Sequence, residues 1–208
     1  MNPDATKRNK RIKKGDSKPG ETSSRDGDVF MIPLDNGKAY LGQVIATPNY
    51  ANTYIVIFDF LANEKDAARH VDEALSSSPL LAGLTITPFK VRPTWKIIMN
   101  RPLTSRDADR FLPAYFASVR GKKIIEDFYR KRSRPASPDE EATAFNAIVN
   151  NRNAIRNTKL ITARRSISAA TFEAALRAIN GLETWNERYA DLCADRVVLA
   201  RDVFGSQC

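Results

Sequence analysis

Residues 53–60 constrain the fold more than any other segment of this chain. They read Thr-Tyr-Ile-Val-Ile-Phe-Asp-Phe, with apolar side chains at consecutive positions and many β-branched or aromatic residues. Successive side chains of a strand point to opposite faces, so an uninterrupted apolar run is typical of a strand that is covered on both faces. The segment therefore predicts a central β-strand with other strands on either side of it.

Short apolar segments around residues 53–60 supply the neighbouring strands. Residues 28–34 are followed by Asn36-Gly37, the pair that most readily forms a tight hairpin turn. The returning strand contains Gly42, which predicts a bulge or a close backbone approach. Further extended segments are predicted at residues 80–86, 89–91 and 95–99. Together these segments predict a small antiparallel sheet, strongly curved or closed into a barrel.

Positive charge is concentrated outside the strand-rich segment, although the whole chain carries a formal net charge of +9. Residues 28–100 contain six basic and seven acidic residues, whereas residues 101–208 contain nineteen and thirteen. Residues 1–27 contain eight basic and four acidic residues, with Ile12 as the one large aliphatic side chain. We predict that residues 1–27 form a disordered basic tail, because so polar a segment cannot bury enough apolar surface to fold.

The second half of the chain predicts helices. Thr104 and Asp107 have the spacing of a capping box, and Ser137-Pro138 and Ser168 have the form of helix starts. The helix that begins after Thr104 is predicted to continue past Pro113 as far as Gly121, and Asn180-Gly181 has the form of a helix end. Further helical segments are predicted at residues 122–132 and 182–204, and a short helix within the first half is predicted at residues 63–75. The predicted fold class is therefore α+β. Its parts are the tail, a β-rich domain at residues 28–103, and a three- to four-helix array at residues 104–208.

The residue types argue against common catalytic and metal chemistry. The chain has one histidine, His70, and two cysteines, Cys193 and Cys208. It contains no serine-centred elbow, no phosphate-binding glycine loop and no cysteine–histidine pair. Its carboxylate pairs lie at or near predicted helix starts, where capping explains them better than acid–base catalysis. We therefore predict no enzymatic activity, no metal site and no cofactor.

Hydropathy predicts no association with membranes. The longest uncharged apolar run is far short of the roughly 20 residues that a membrane span requires. The basic N-terminal segment is not followed by the apolar stretch of a secretory signal. The two cysteines lie fifteen positions apart and do not indicate a disulfide framework. A cytoplasmic location is expected.

A set of turn and core residues across residues 27–103 carries a resemblance to a known family. The opening residues 27–34 are followed by Asn-Gly-Lys at 36–38 and Tyr-Leu-Gly-Gln-Val at 40–44. Phe58-Asp59, Trp-Lys-Ile-Ile at 95–98 and Arg-Pro-Leu at 101–103 continue the pattern. In these residues the chain resembles the immunity protein 26 family, whose members accompany bacterial polymorphic toxins and neutralise them by binding.

The resemblance implies that the protein blocks a cognate protein toxin by steric and electrostatic occlusion. Toxins with basic clefts would suit an acidic inhibitor, whereas this chain is basic outside its β-rich segment. Either the partner is acidic at the contact, or the contact is confined to the β-rich segment. In the second case the predicted toxin-binding residues are Asp28, Asp35, Tyr40, Asp59 and Glu64. The oligomeric state stays open.

Two other functions remain open at this point. A nucleic-acid-associated accessory protein would use the tail and a basic patch made of Lys122, Lys123, Arg130, Lys131, Arg132 and Arg134. A second basic group contains Arg152, Arg156, Lys159, Arg164 and Arg165. Acidic residues interrupt the patch and Tyr129 is its one neighbouring aromatic, so a solvated helix face is the favoured explanation. A small barrel ribonuclease is the third possibility, and the lack of an evident acid–base pair argues against it.

Overall fold

The computed structural model describes residues 24–49, 51–149, 159 and 161–205, and for residues 145–149 it describes the backbone alone. The strands are β1 (Asp28–Pro33), β2 (Lys38–Ala46), β3 (Asn52–Asn63), β4 (Pro79–Ile86), β5 (Lys96–Asn100), β6 (Tyr115–Val119), β7 (Lys122–Asp127), β8 (Arg132–Pro135) and β9 (Ser166–Ile167). The α-helices are α1 (Val71–Ser76), α2 (Pro88–Val91), α3 (Ser105–Asp109), α4 (Pro138–Val149), α5 (Ala169–Ile179) and α6 (Ala200–Phe204). Short 3₁₀ helices lie at Ala67–His70, Glu187–Leu192 and Ala194–Arg196.

Six strands form the main sheet in the order β5-β1-β2-β3-β4-β9. The first five are antiparallel to their neighbours, as predicted, and β9 adds to β4 in the parallel direction. The strand predicted at residues 53–60 is the inner strand β3, which pairs with β2 and β4. The alternative of a closed barrel is wrong, because β5 and β9 are the two edges of an open sheet.

Both faces of the sheet are covered, which explains the uninterrupted apolar pattern of β3. On one face Phe30, Ile55 and Ile57 pack with Phe172 and Leu176 of α5. We call this side the α5 face. On the opposite face, one end of the sheet packs against the Ala67–His70 turn and α1, and the other end packs against Phe111 and Leu112. The α5 face also contains Trp95, whose ring stacks on that of Phe30 with centroids 5.6 Å apart.

The hairpin and glycine predictions in β1 and β2 are confirmed. Gly37 takes a positive φ of 74° in the turn, and Asn36 accepts a hydrogen bond from the backbone N–H of Lys38. The β2–β3 register shifts between Tyr40 and Gly42, which is the predicted irregularity. Gly42 also lies so close to its neighbours that an added Cβ would be 2.4 Å from Phe30 Cζ and 2.8 Å from the Val56 carbonyl oxygen.

We expect Gly42→Ala to lower the free energy of unfolding by about 2 kcal/mol, the typical cost of an added methyl group in a core that cannot expand. The Phe30 ring cannot withdraw freely, since it packs between Phe89 and Trp95. Urea denaturation measures the change. Gly37→Ala is the control for backbone strain without crowding, because an added Cβ there meets no atom within 4 Å. A loss below about 0.5 kcal/mol for Gly42→Ala would show that crowding at this position has no appreciable cost.

The helix prediction for residues 115–132 is wrong. These residues form β6 and β7, and with β8 they build a second, three-stranded sheet in the order β6-β7-β8. Arg120 and Gly121 both take positive φ, which makes a two-residue hairpin turn and prevents a helix from crossing this point. Residues 122–127 contain two basic, two apolar and two acidic positions, a pattern that fits a strand or a helix, so the turn decides between them.

Two shorter predictions are also wrong in type or extent. The extended segment predicted at residues 89–91 belongs to α2, whose first residue, Pro88, has the φ that a helix start requires. The final helix predicted over residues 182–204 is replaced by two 3₁₀ helices and the short α6. The predicted helix at residues 63–75 is confirmed in part, as the Ala67–His70 turn followed by α1.

None of the helices in the described ranges combines the length and the apolar character needed to cross a membrane.

The predicted helix starts are confirmed. The Thr104 hydroxyl accepts from the Asp107 N–H and the Asp107 carboxylate accepts from the Thr104 N–H, so the capping box is complete. At the start of α4 the Ser137 hydroxyl accepts from the Glu140 N–H, and the Glu140 carboxylate accepts from the Ser137 N–H. The hydrogen bond from Arg134 lowers the pKa of Glu140 to about 2. Ser168 accepts from the Thr171 N–H at the start of α5.

Several predictions fall outside the residues that the structure describes. They are the disordered state of residues 1–23 and the basic residues Arg152 and Arg156. The domain boundaries at residues 27 and 103 also stay predictions.

Candidate functional site

One end of the α5 face is left uncovered where β3 extends beyond its partner β4. The pairing between β3 and β4 ends at Phe58 and Pro79, so residues 59–63 have β2 as their one sheet neighbour. Within this extension Leu61 lies opposite Tyr40 of β2. Opposed residues of antiparallel strands share a face, so Leu61 lies on the α5 face beside Tyr40 and is 41% exposed.

The C-terminal end of α5 is held against this part of the sheet. Asn180 donates from Nδ2 to the Tyr40 hydroxyl oxygen at 2.9 Å. Arg177 forms ion pairs with Asp35 of the β1–β2 turn and with Glu183 of the following loop. Burial raises the pKa of Tyr40, the hydrogen bond from Asn180 partly opposes the rise, and the nearby negative charge of Asp59 adds to it.

The chain leaves α5 through a Schellman motif, which fixes the direction of the next residues. Gly181 takes a φ of 70°, its N–H donates to the Ala178 carbonyl, and the Leu182 N–H donates to the Arg177 carbonyl. The Asn180-Gly181 helix end predicted from the sequence is therefore confirmed. Leu182 is turned back beside the helix end, and the loop that carries Trp185 begins there.

Exposed apolar side chains collect at this end of the molecule. Eight large apolar residues are exposed in the described ranges, and four of them are here: Leu61, Ile179 (39%), Leu182 (38%) and Trp185 (42%). Together with Asp35, Asp59 and Glu183 they form what we call the open-end surface. In it Leu61, Ile179 and Leu182 lie around the Tyr40–Asn180 contact, and Trp185 follows in the loop after Leu182. Large apolar groups bordered by charged residues are typical of protein-docking sites.

The structure brings four of the five predicted toxin-binding residues to the same end of the sheet. Asp35 and Asp59 are exposed there, Tyr40 is nearly buried, and Glu64 is half-buried just after β3. Asp28 is separate from them, because it lies at the opposite end of β1. Its carboxylate is buried and accepts hydrogen bonds from the Arg25 N–H and from Asn100 Nδ2.

Sequence reasoning missed the contribution of α5 and its following loop. It placed Leu182 and Trp185 on the apolar stripe of a helix, where both would be buried. The helix-ending Gly181 was the one available signal, since large apolar residues after a glycine stop need not continue the buried stripe. Arg177 was also missed, because its partners Asp35 and Glu183 are brought to it by the fold.

The three arginines of the predicted basic patch are engaged with carboxylates. Arg130 binds Asp109 at 2.5 Å, Arg132 binds Asp127 at 2.8 Å, and Arg134 binds Glu140 at 2.6 Å. In the second basic group, Arg164 lies 3.2 Å from Glu126 and Arg165 pairs with Asp191. The exposed lysines of the patch are Lys122, Lys123 and Lys131. Nucleic-acid binding by these residues stays a prediction.

A half-open pocket of about 470 Å³ lies between the end of β2 and the second sheet. Thr47, Phe128, Tyr129 and Lys131 are among its lining residues. Tyr129 packs against the buried rings of Tyr54 and Tyr115, and burial raises the pKa of Tyr115 to about 12.

Across the described part of the chain no three His, Cys, Asp or Glu side chains come close enough to hold a metal ion.

Comparison with known proteins finds one similarity. Residues 25–125 match the family model described as Immunity protein 26. The match extends past residue 103 and covers the five antiparallel strands of the main sheet, β6 and part of β7. It does not include α5 or the loop that follows it. No curated protein and no solved structure matches the chain.

Proposed function

We propose, from the confirmed resemblance of residues 25–125 to the immunity protein 26 family, that this protein is an immunity protein that binds a bacterial toxin domain and thereby neutralises it. The family match over the strands of the main sheet is the observation that carries the proposal. Neutralisation by binding requires a rigid surface of defined shape. A sheet covered on both faces supplies that rigidity, because its backbone and core side chains are closely packed.

The charge of the open-end surface supports a basic partner. The chain as a whole is strongly positive, yet this surface carries the carboxylates of Asp35, Asp59 and Glu183. Arg177 pairs with Asp35 and Glu183, and Lys38 on the same face donates to Asn63 and not to a carboxylate. Local negative charge attracts a basic protein surface and raises the rate at which the two proteins associate. In this proposal Asp35, Asp59 and Glu64 contact the toxin. Tyr40 acts by holding α5 in place, and Asp28 by holding β1 to β5.

Co-expression tests the proposal directly. The test takes the C-terminal domain of the protein encoded by the gene upstream of this one and induces it in a bacterial host with and without the present protein. We expect growth to be arrested by the toxin domain alone and restored when the full chain is present. Purified chain and toxin domain should form a stable complex in size-exclusion chromatography. Growth arrest that the protein does not relieve would overturn the proposal.

Charge reversal tests the predicted contact. Asp59→Lys is expected to lower the association rate constant for the toxin domain about tenfold at low salt, with a smaller effect at high salt. Glu73→Lys is the matched control, since Glu73 is an exposed carboxylate on α1 at the opposite face of the sheet. Stopped-flow fluorescence measures both rates. Equal rates in the two variants would place the contact elsewhere.

A further inference from the structure

We infer that the anchor of the toxin interface lies outside the family-matched segment, in Trp185 and Leu182 of the loop after α5, and that these side chains insert into an apolar depression on a basic protein surface. The inference rests on the proposed function and adds to it. The matched strands would provide the charged part of the surface, and the C-terminal segment would provide the apolar contact on which affinity depends.

The loop is held in a defined position before any partner binds. The Schellman motif directs the chain at Gly181, and the ion pair between Arg177 and Glu183 fixes the next turn of the chain. Arg177 also binds Asp35, so the loop, the helix end and the β1–β2 turn are joined through one side chain. A surface ordered in advance loses less conformational entropy on binding, which favours affinity.

Trp185 has the features of an interface anchor. Its ring is 42% exposed and meets the Tyr189 ring edge-on, with centroids 5.4 Å apart. Tyr189 in turn packs against the buried core of the α5 face. The other tryptophan, Trp95, is 3% exposed within that core. Tryptophan is strongly enriched among the interface residues that contribute most to binding energy. Because Tyr189 holds the exposed Trp185 ring in place, a partner can bury that ring without first having to order it.

Charge favours a basic protein over a second copy of this chain as the occupant. A symmetric dimer formed through the open-end surface would bring two surfaces of the same sign together, each with three carboxylates (Asp35, Asp59 and Glu183) against the two cations Arg177 and Lys38. Like net charges oppose association, whereas a basic partner is attracted to the excess negative charge.

The test measures, by biolayer interferometry, the affinity of the full-length chain for the toxin domain that it protects against in the co-expression experiment. We expect Trp185→Ala to weaken the complex at least about tenfold, mainly through faster dissociation. Val119→Ala is the control, because Val119 is 49% exposed on the second sheet and its truncation should leave affinity unchanged. Leu182→Ser provides an independent second variant and should weaken binding in the same direction. Thermal melting confirms that each variant is folded.

The outcomes separate this inference from the proposed function. If the wild-type chain binds the toxin domain and both variants bind equally well, the inference is overturned and the proposed function stands. If the wild-type chain does not bind at all, the proposed function fails and the inference fails with it. If sedimentation shows a wild-type dimer that Trp185→Ala converts to a monomer, the surface joins two copies of the chain and the inference is overturned.

Discussion

Replacing Phe172 by alanine is expected to lower the free energy of unfolding by about 4 kcal/mol, the middle of the range for removing a fully buried phenylalanine side chain. Phe172 is completely buried on α5 and packs with the sheet residues Phe30, Ile55 and Ile57. The lost ring would leave a cavity that the covered sheet cannot close by moving its backbone. Urea denaturation followed by circular dichroism measures the change.

Ile179→Ala is the control on the same helix. Ile179 follows Phe172 and Leu176 along one helical stripe but is partly exposed, so its truncation should cost less than about 1 kcal/mol.

The denaturation of Phe172→Ala also tests the predicted domain boundary at residue 103. If α5 and the sheet unfold together, Phe172→Ala shifts one transition that includes the sheet. A separate transition for the sheet, unaffected by the substitution, would mean that residues 104–208 fold independently.

The second large effect is expected from Arg132→Ala, which should cost about 3 kcal/mol because it leaves a buried carboxylate without its counter-charge. The Asp127 side chain is completely buried, and Arg132 donates to its Oδ2 from both Nε and Nη2. The remaining oxygen, Oδ1, accepts a hydrogen bond from the Arg130 N–H. Chemical denaturation monitored by tyrosine fluorescence measures the loss, since Tyr115 and Tyr129 lie in or next to the second sheet.

Arg134→Ala provides the matched comparison within the same predicted basic patch. Arg134 binds Glu140 through two hydrogen bonds, but both side chains are partly exposed to water. Water screens such a pair, so the loss should stay below about 1 kcal/mol. Equal losses in the two variants would contradict the distinction between a buried and a solvated ion pair. The expected difference would assign Arg132 a structural role in the second sheet.

The features that could be predicted from sequence are those set by a few adjacent residues. Gly37 and Gly42 were recognised because each occupies a backbone position that a side chain would strain or crowd. The starts of α3, α4 and α5 were recognised because a hydroxyl group caps a helix through hydrogen bonds that span three residues. The inner strand β3 was recognised because a continuous apolar pattern needs cover on both faces.

The second sheet and the end of the chain show where such reasoning stops. Residues 122–127 fit both a strand and a helix, and the hairpin turn at Arg120 and Gly121, with β6 and β8 on either side, selects the strand. The carboxylates that pair with Arg130, Arg132 and Arg134 were read as helix caps or polar-face residues. The spacing of residues along the sequence does not show that Arg130 will meet Asp109. It also does not show that Asp127 and Glu140 will bind an arginine in addition to their local roles.

The sequence by itself determined the antiparallel strands, their turns, the helix starts and the family resemblance, because each depends on local backbone chemistry or on a contiguous pattern. The tertiary structure alone decided that α5, far along the chain, closes over the sheet and brings Arg177 to Asp35 and Asn180 to Tyr40. It therefore also decided that Leu182 and the loop that carries Trp185 begin next to Arg177 and its partner Asp35. Contacts across about 140 residues form because burying the α5 stripe removes apolar surface from water, and no local sequence signal specifies where that stripe will pack.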